Sequence, residues 1–113
     1  MTYTDINTDN IKSQMRKGVL EYSILSILEK EDAYAPSMIK ILKDANMMVV
    51  EGTLYPLLTR LKNQGLLSYR WEESTQGPPR KYYSLTPMGR QVLAELDATW
   101  NELVDSIQLI RQR

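Results

Sequence analysis

Between Val50 and Leu85 the sequence reads VEGTLYPLLTRLKNQGLLSYRWEESTQGPPRKYYSL, and its periodicity changes partway along. Leu54, Leu57, Leu58 and Leu61 fall at i, i+3, i+4 and i+7, the apolar stripe of an amphipathic helix. Gly65 ends it, and Leu66 can fold back on Leu61, the apolar contact that accompanies a glycine stop. From Leu67 the period drops to two. Leu67, Tyr69 and Trp71 alternate with Ser68, Arg70 and Glu72, and Tyr83 and Leu85 alternate with Tyr82 and Ser84, as in half-buried strands. Pro56 inside a helix would cost about 3 kcal/mol, so the helix is placed at Thr53–Gln64, with Thr53 as its cap and Pro56 in its first turn. The connection Glu73–Arg80 is predicted to be a loop, longer than the usual two to about five residues of a hairpin and stiffened by Gly77-Pro78-Pro79. A short helix joined at once to such a hairpin is the reading end of a winged helix-turn-helix.

The rest of the chain fits around this segment. Ile11, Met15 and Val19 recur every fourth residue. Leu20, Ile24, Ile27 and Leu28 then continue an apolar face, which predicts a long helix ending near Glu29 or Lys30. Tyr22 and Leu25 widen that face, so the helix should touch two surfaces. Thr8 or Asp9 is its expected cap, and Met1–Asn7 is expected to be a flexible arm. A second helix is expected at Pro36–Ala45, started by Pro36 and ended by Asn46, with Met38, Ile41 and Leu42 inward. Met47–Val50, apolar and β-branched, suits a short strand or an extended bridge. Thr86-Pro87 is a strong helix start. After it, Leu93, Leu96, Trp100, Leu103, Ile107 and Ile110 are spaced 3, 4, 3, 4 and 3 residues apart. That is a heptad seam, the pattern of helices that pair with other helices.

These elements divide the chain into an arm at 1–9, a winged helix-turn-helix domain at 10–86 that includes the first helix, and a dimerisation helix at 87–113. The fold class is mainly α with a small β-hairpin. At 113 residues the chain buries a modest fraction of its surface alone, so pairing would help it. Ile11 and Met15, with Leu93, Leu96, Trp100, Leu103, Ile107 and Ile110, are the expected homodimer interface.

Net charge is zero, with 14 basic and 14 acidic residues, so no general attraction to nucleic acid follows from it. The distribution says more. From Glu51 to Arg90 six basic side chains face three acidic ones, a local net of +3. The chain has no cysteine and no histidine, which removes disulfides, thiolate zinc sites and the commonest general base. Glu72 and Glu73, adjacent on a strand, point to opposite faces and make a poor acid–base pair. No catalytic constellation, cofactor motif or metal set is found. Nothing resembles a signal peptide or a membrane span, so a cytoplasmic protein that is not an enzyme is expected.

A helix that reads DNA needs short polar groups and cations on its outer face. Opposite the leucines stand Gly52, Pro56, Thr59 and Asn63. Thr53 and Arg60 flank them on one edge, Tyr55 and Lys62 on the other. Gly52 would let a phosphate approach the helix start. In the hairpin, Gln76, Gly77, Arg80 and Lys81 are the candidates, joined by Ser37 and Lys40 on the preceding helix. The bland alternative is that all of these are ordinary solvated positions. The basic hairpin beside the helix tilts the balance toward double-stranded DNA. Trp100 is first a core or interface residue. As a ligand group it would be an aromatic wall, with Met15 and Val19, for a planar hydrophobic effector.

Several of these residues also carry a likeness. Gly52-Thr53-Leu54-Tyr55-Pro56-Leu57-Leu58 with Arg60-Leu61, then Gly65-Leu66-Leu67, then Gly77-Pro78-Pro79-Arg80-Lys81-Tyr82-Tyr83, then Leu85-Thr86-Pro87-Met88-Gly89-Arg90, resemble the PadR family of bacterial transcriptional regulators. The resemblance implies a winged-helix homodimer, joined through its first and last helices, that represses detoxification, efflux or stress genes. Two copies of the Thr53–Gln64 helix roughly 34 Å apart would read an inverted-repeat operator with centres about one turn apart. In a multidrug-sensing branch, a tryptophan matched by Trp100 stacks on flat aromatic compounds at the dimer centre. The sequence departs from the family at Ala35-Pro36, where Gly and a non-proline residue are frequent, and at Val50, where a small polar cap is common. Two other readings keep the same fold: a protein-interaction module, and a small-molecule sensor with no strong DNA binding.

Overall fold

The computed structural model describes residues 8–113. In order they form α1 (Thr8–Lys30), α2 (Ala35–Asp44), α3 (Glu51–Asn63), β1 (Leu67–Ser74), β2 (Gly77–Leu85) and α4 (Pro87–Arg111). Thr8 and Asp9 are already helical. The expected arm at Met1–Asn7 lies outside the described residues.

The core is built where the periodic faces meet. Ile24, Leu25 and Leu28 of α1, Met38 of α2, Leu54, Leu58 and Leu61 of α3 and Leu93 of α4 are almost wholly buried. Two of the helix stops are chain reversals of the same kind. At the end of α3, Gly65 adopts φ +83°, its N–H donates to the Lys62 carbonyl, and the Leu66 N–H donates to the Leu61 carbonyl, both at 3.0 Å. At the end of α2, Asn46 adopts φ 63° and the Met47 N–H donates to the Leu42 carbonyl at 2.8 Å. Both pairings satisfy carbonyls that a helix end leaves open.

The start of α4 is tied to the stop of α3. The Thr86 hydroxyl accepts from the Gly89 N–H at 2.9 Å and donates to the Gly65 carbonyl at 2.7 Å. Gly89 is pressed against that stop. A Cβ on it would lie 2.2 Å from the Leu66 carbonyl oxygen.

The structure corrects the sequence reading in several places. Helix α3 begins at Glu51, with Val50 as a cap that offers no side-chain bond, so Thr53 is inside the helix and Pro56 sits in its interior. The hairpin connection is only Thr75–Gln76, because β1 runs on to Ser74 and β2 starts at Gly77. The pairing has an irregularity between Glu72, opposite Arg80, and Ser74, opposite Gly77. Pro78 and Pro79 fall within it. Prolines cannot donate to a ladder, and a bulge is where a strand tolerates them. Ile41, expected inward, is exposed while Ala35, Met38 and Leu42 are buried. Of the two forms expected for Met47–Val50, it makes no strand and is the connecting bridge, with Val50 extended at φ −97° and ψ 159°. Ala33, between α1 and α2, pairs with Tyr83 along the free edge of β2, through bonds of 2.8 and 3.2 Å.

Helix α4 leaves the domain. Leu93, expected on the dimer seam, is 1% exposed and belongs to the protomer's own core. Leu96 is half-buried, and then Trp100, Leu103, Ile107 and Ile110 are 41%, 55%, 54% and 57% exposed. The Cα radius of gyration is 16.9 Å, against about 13 Å for a closed domain of this size. The excess reflects long helices reaching past the core.

Candidate nucleic-acid interface

With the leucines of α3 turned inward, Gly52, Pro56, Thr59 and Asn63 form an exposed outer face. The two edges of the helix meet different neighbours. On one edge Arg60 is ion-paired with Glu21 of α1, both side chains remaining partly exposed. Thr53 on that edge borders a cleft shared with Ser13, Arg16 and Lys17 of α1. On the other edge Tyr55 and Lys62 face the hairpin. Tyr55 lines a cleft of about 470 Å³ with Tyr34, Trp71, Gln76, Gly77 and Arg80. Lys62 stands with its ammonium 5.7 Å from the centre of the Tyr69 ring.

The hairpin projects beside α3 because only its base is anchored. Leu67, Tyr83 and Leu85 are buried, and the strands beyond them are largely solvated. Arg70 braces the back of the wing, donating to Asp32 at 2.5 Å and to Glu72 at 2.9 Å. That guanidinium holds the Asp32 carboxyl below its ordinary range. Arg80 lies over the Tyr34 ring at 5.0 Å. Lys81 is half-buried over Tyr69, Tyr83 and Trp71.

The structure thus brings Gly52, Thr53, Tyr55, Pro56, Thr59, Arg60, Lys62 and Asn63 together on α3, and Gln76, Gly77, Arg80 and Lys81 on the wing next to it. Lys40 is paired with Asp44 at 2.7 Å, which raises the lysine's pKa through that bond. Ser37 is half-buried in α2. The sequence reading missed Glu21 as the partner of Arg60, and the rings of Tyr34, Tyr69 and Trp71 as supports for Arg80 and Lys81. The alternation of Tyr69 and Trp71 opposite Lys81 and Tyr83 carried that signal, but only once the strand register was known.

A second feature lies on the other side of the domain. Met15, Gly18 and Val19 of α1 and Leu96, Trp100 and Leu103 of α4 line an open groove of about 380 Å³, with Gln14, Tyr22 and Thr99. The Trp100 ring is 6.0 Å from that of Tyr22. The expected effector residues Met15, Val19 and Trp100 are therefore neighbours. Among the described residues, no helix is long and apolar enough to cross a membrane.

Three helices with a two-stranded wing packed beside the third, and a long fourth helix, define a winged helix-turn-helix protein with an added C-terminal helix. Residues 24–95 match the model of the transcriptional regulator PadR-like family, and the chain belongs to that family. A PadR-like transcription factor from Bacteroides fragilis is 63% identical in sequence. It covers 89% of this chain and 98% of its own, with a TM-score of 0.77. A PadR family regulator from Eggerthella lenta is 38% identical over 96% of this chain and 94% of its own, with a TM-score of 0.84. A relative from Lysinibacillus sphaericus is 26% identical over 105 residues, covering 90% of this chain and 96% of its own. The protein is a transcriptional regulator of the PadR-like family.

Proposed function

We propose that this regulator is a cytoplasmic, homodimeric repressor that binds an inverted-repeat operator. The observation that carries the reading is the outer face of α3, polar and open to solvent, set beside a wing that bears Arg80 and Lys81. Each protomer would insert α3 into the major groove, the two copies about one turn, roughly 34 Å, apart. The wing would follow the neighbouring backbone. The exposed apolar stripe Trp100–Leu103–Ile107–Ile110, with Ile11 and Met15, supports the dimer. An isolated protomer rarely leaves so continuous a row of large apolar side chains in water.

The test is recovery of genomic fragments bound by the purified protein, followed by titration of the recovered site at several salt concentrations. Binding of an inverted repeat with a steep salt dependence is expected. Binding no stronger than to unrelated duplexes would overturn the operator reading and favour a protein-interaction module.

The groove between α1 and α4 favours a second role, capture of a planar hydrophobic effector against Trp100 that releases the operator. Planar cationic dyes should quench tryptophan fluorescence in the wild type. Trp100→Ala, which retains Trp71, should lose that quenching. Equal dye affinity in the two proteins would dismiss the groove as a ligand site.

A further inference from the structure

One face of the hairpin starts in the core at Leu67 and Leu85. It continues outward through the cross-strand pairs Tyr69–Tyr83 and Trp71–Lys81. The Lys81 ammonium lies 4.0 Å from the centre of the Tyr69 ring, 5.5 Å from that of Tyr83 and 5.7 Å from that of Trp71. The Lys62 ammonium, arriving from α3, is 5.7 Å from the same Tyr69 ring. Neither lysine has a carboxylate partner among the described residues. Thr59 and Asn63 close the space between them, giving a cleft of about 110 Å³ lined by Thr59, Lys62, Asn63, Tyr69, Lys81 and Tyr83.

Two ammonium groups repel each other, and no carboxylate offsets that here. The electron-rich Tyr69 ring attracts both, which keeps two cations beside one cleft without neutralising either. The cleft also has a hydroxyl and a side-chain amide, and both can donate hydrogen bonds. Two cations and two neutral donors around a small opening suit one singly charged group with several acceptor oxygens. The opening lies in the angle between the outer face of α3 and the wing.

We propose that Tyr69 is a positioning residue, whose ring holds Lys62 and Lys81 together so that they grip a single phosphodiester of the DNA backbone between α3 and the wing. This rests on the DNA-binding reading above. The role is distinct from base reading, because a phosphate fixes the register of the helix in the groove without reporting sequence. It also differs from a core role for Tyr69, whose ring is partly exposed.

The test uses the full chain and a fluorescein-labelled duplex of mixed sequence, with affinity followed by anisotropy across a series of NaCl concentrations. Tyr69→Leu should weaken binding at low salt roughly fivefold, the scale of one cation–π contact. It should also reduce the slope of log affinity against log salt by about 0.9, one phosphate's worth. Tyr69→Phe, which keeps the ring, should bind like the wild type. In a Lys81→Gln background Tyr69→Leu should cost little more, since the two act on one contact. Thermal melts establish that each variant is folded. An unchanged slope in Tyr69→Leu, an equal loss in Tyr69→Phe, or strictly additive losses with Lys81→Gln would overturn the clamp and leave DNA binding itself standing. A wild type with no salt-dependent affinity would remove the DNA reading and the clamp together.

Discussion

The Tyr22 hydroxyl donates to an Asp97 carboxylate oxygen at 2.5 Å, joining the middle of α1 to the middle of α4. The bond marks a border. On one side of it Leu93 is sealed in the core. On the other, Trp100 and the rest of the seam lie open. Because Asp97 accepts the phenolic proton, and burial adds to the effect, the Tyr22 pKa is raised above its ordinary 10.0.

Tyr22→Phe should therefore lower stability by about 1 kcal/mol, the net worth of one hydrogen bond. The sign with pH follows from the raised value. The contribution is complete below the unfolded tyrosine's pKa of 10.0, and it fades as pH climbs through the higher folded one. Urea midpoints for wild type and Tyr22→Phe should differ at neutral pH and draw together in strong alkali. A constant gap across the range would refute the bond's role.

Two glycines should respond in opposite ways to the same change. At Gly89 an added Cβ meets the Leu66 carbonyl at 2.2 Å and the Leu85 Cδ1 at 2.9 Å. Gly89→Ala should cost about 1–3 kcal/mol, and more if the α3–α4 junction cannot shift. At Gly52 nothing lies within 4 Å. Gly52→Ala should raise stability by about 0.5–1 kcal/mol through helix propensity. If a phosphate approaches the start of α3, the same variant should bind the operator less well. Thermal melts and operator titrations on both variants read the two effects separately.

Arg60 is partly engaged by Glu21. Arg60→Ala should weaken operator binding, whereas Glu21→Gln, which frees the guanidinium, should strengthen it. Removing one acidic charge near the DNA works in the same direction, so the informative comparison is Glu21→Gln in an Arg60→Ala background. There the gain should shrink. An undiminished gain would mean that Glu21 acts on the DNA directly and not through Arg60.

Arg70 holds Asp32 and Glu72 at the back of the wing. The Asp32 carboxyl is held below its ordinary 3.8, chiefly by its bond to Arg70. Stability from this pair is present above the unfolded value and is lost as pH falls through the lower folded one. The pair is substantially exposed, so solvent screens it and its worth is small. Wild type should exceed Asp32→Asn in urea midpoint at neutral pH and lose that lead only below the ordinary carboxylate range. A lead that vanished near neutrality would point to another group.

Ile107→Lys places a charge on the exposed seam of α4, far from the core. If that seam joins two protomers, the variant should sediment as a folded monomer and lose most of its operator affinity, because two linked half-sites become one. A variant that remains dimeric would exclude this stretch from the interface.

The sequence determined the local devices by itself. The leucine stripe of α3, the stops at Gly65 and Asn46, the Thr86-Pro87 start and the heptad spacing of α4 each depend on neighbours three or four residues away, and each is readable from them. Most of the outer face of α3 was legible for the same reason, since a buried stripe defines its opposite. Tertiary structure alone decided the rest. Arg60 meets Glu21 across 39 positions and Tyr22 meets Asp97 across 75. Ala33 joins the edge of β2, Leu93 turns inward, and β2 continues past two prolines at an irregularity in its pairing with β1. Helix and strand periods are set by the backbone's own repeat, which every short window displays. Which ring lies beneath which cation is set by where distant segments pack, and no short window contains both.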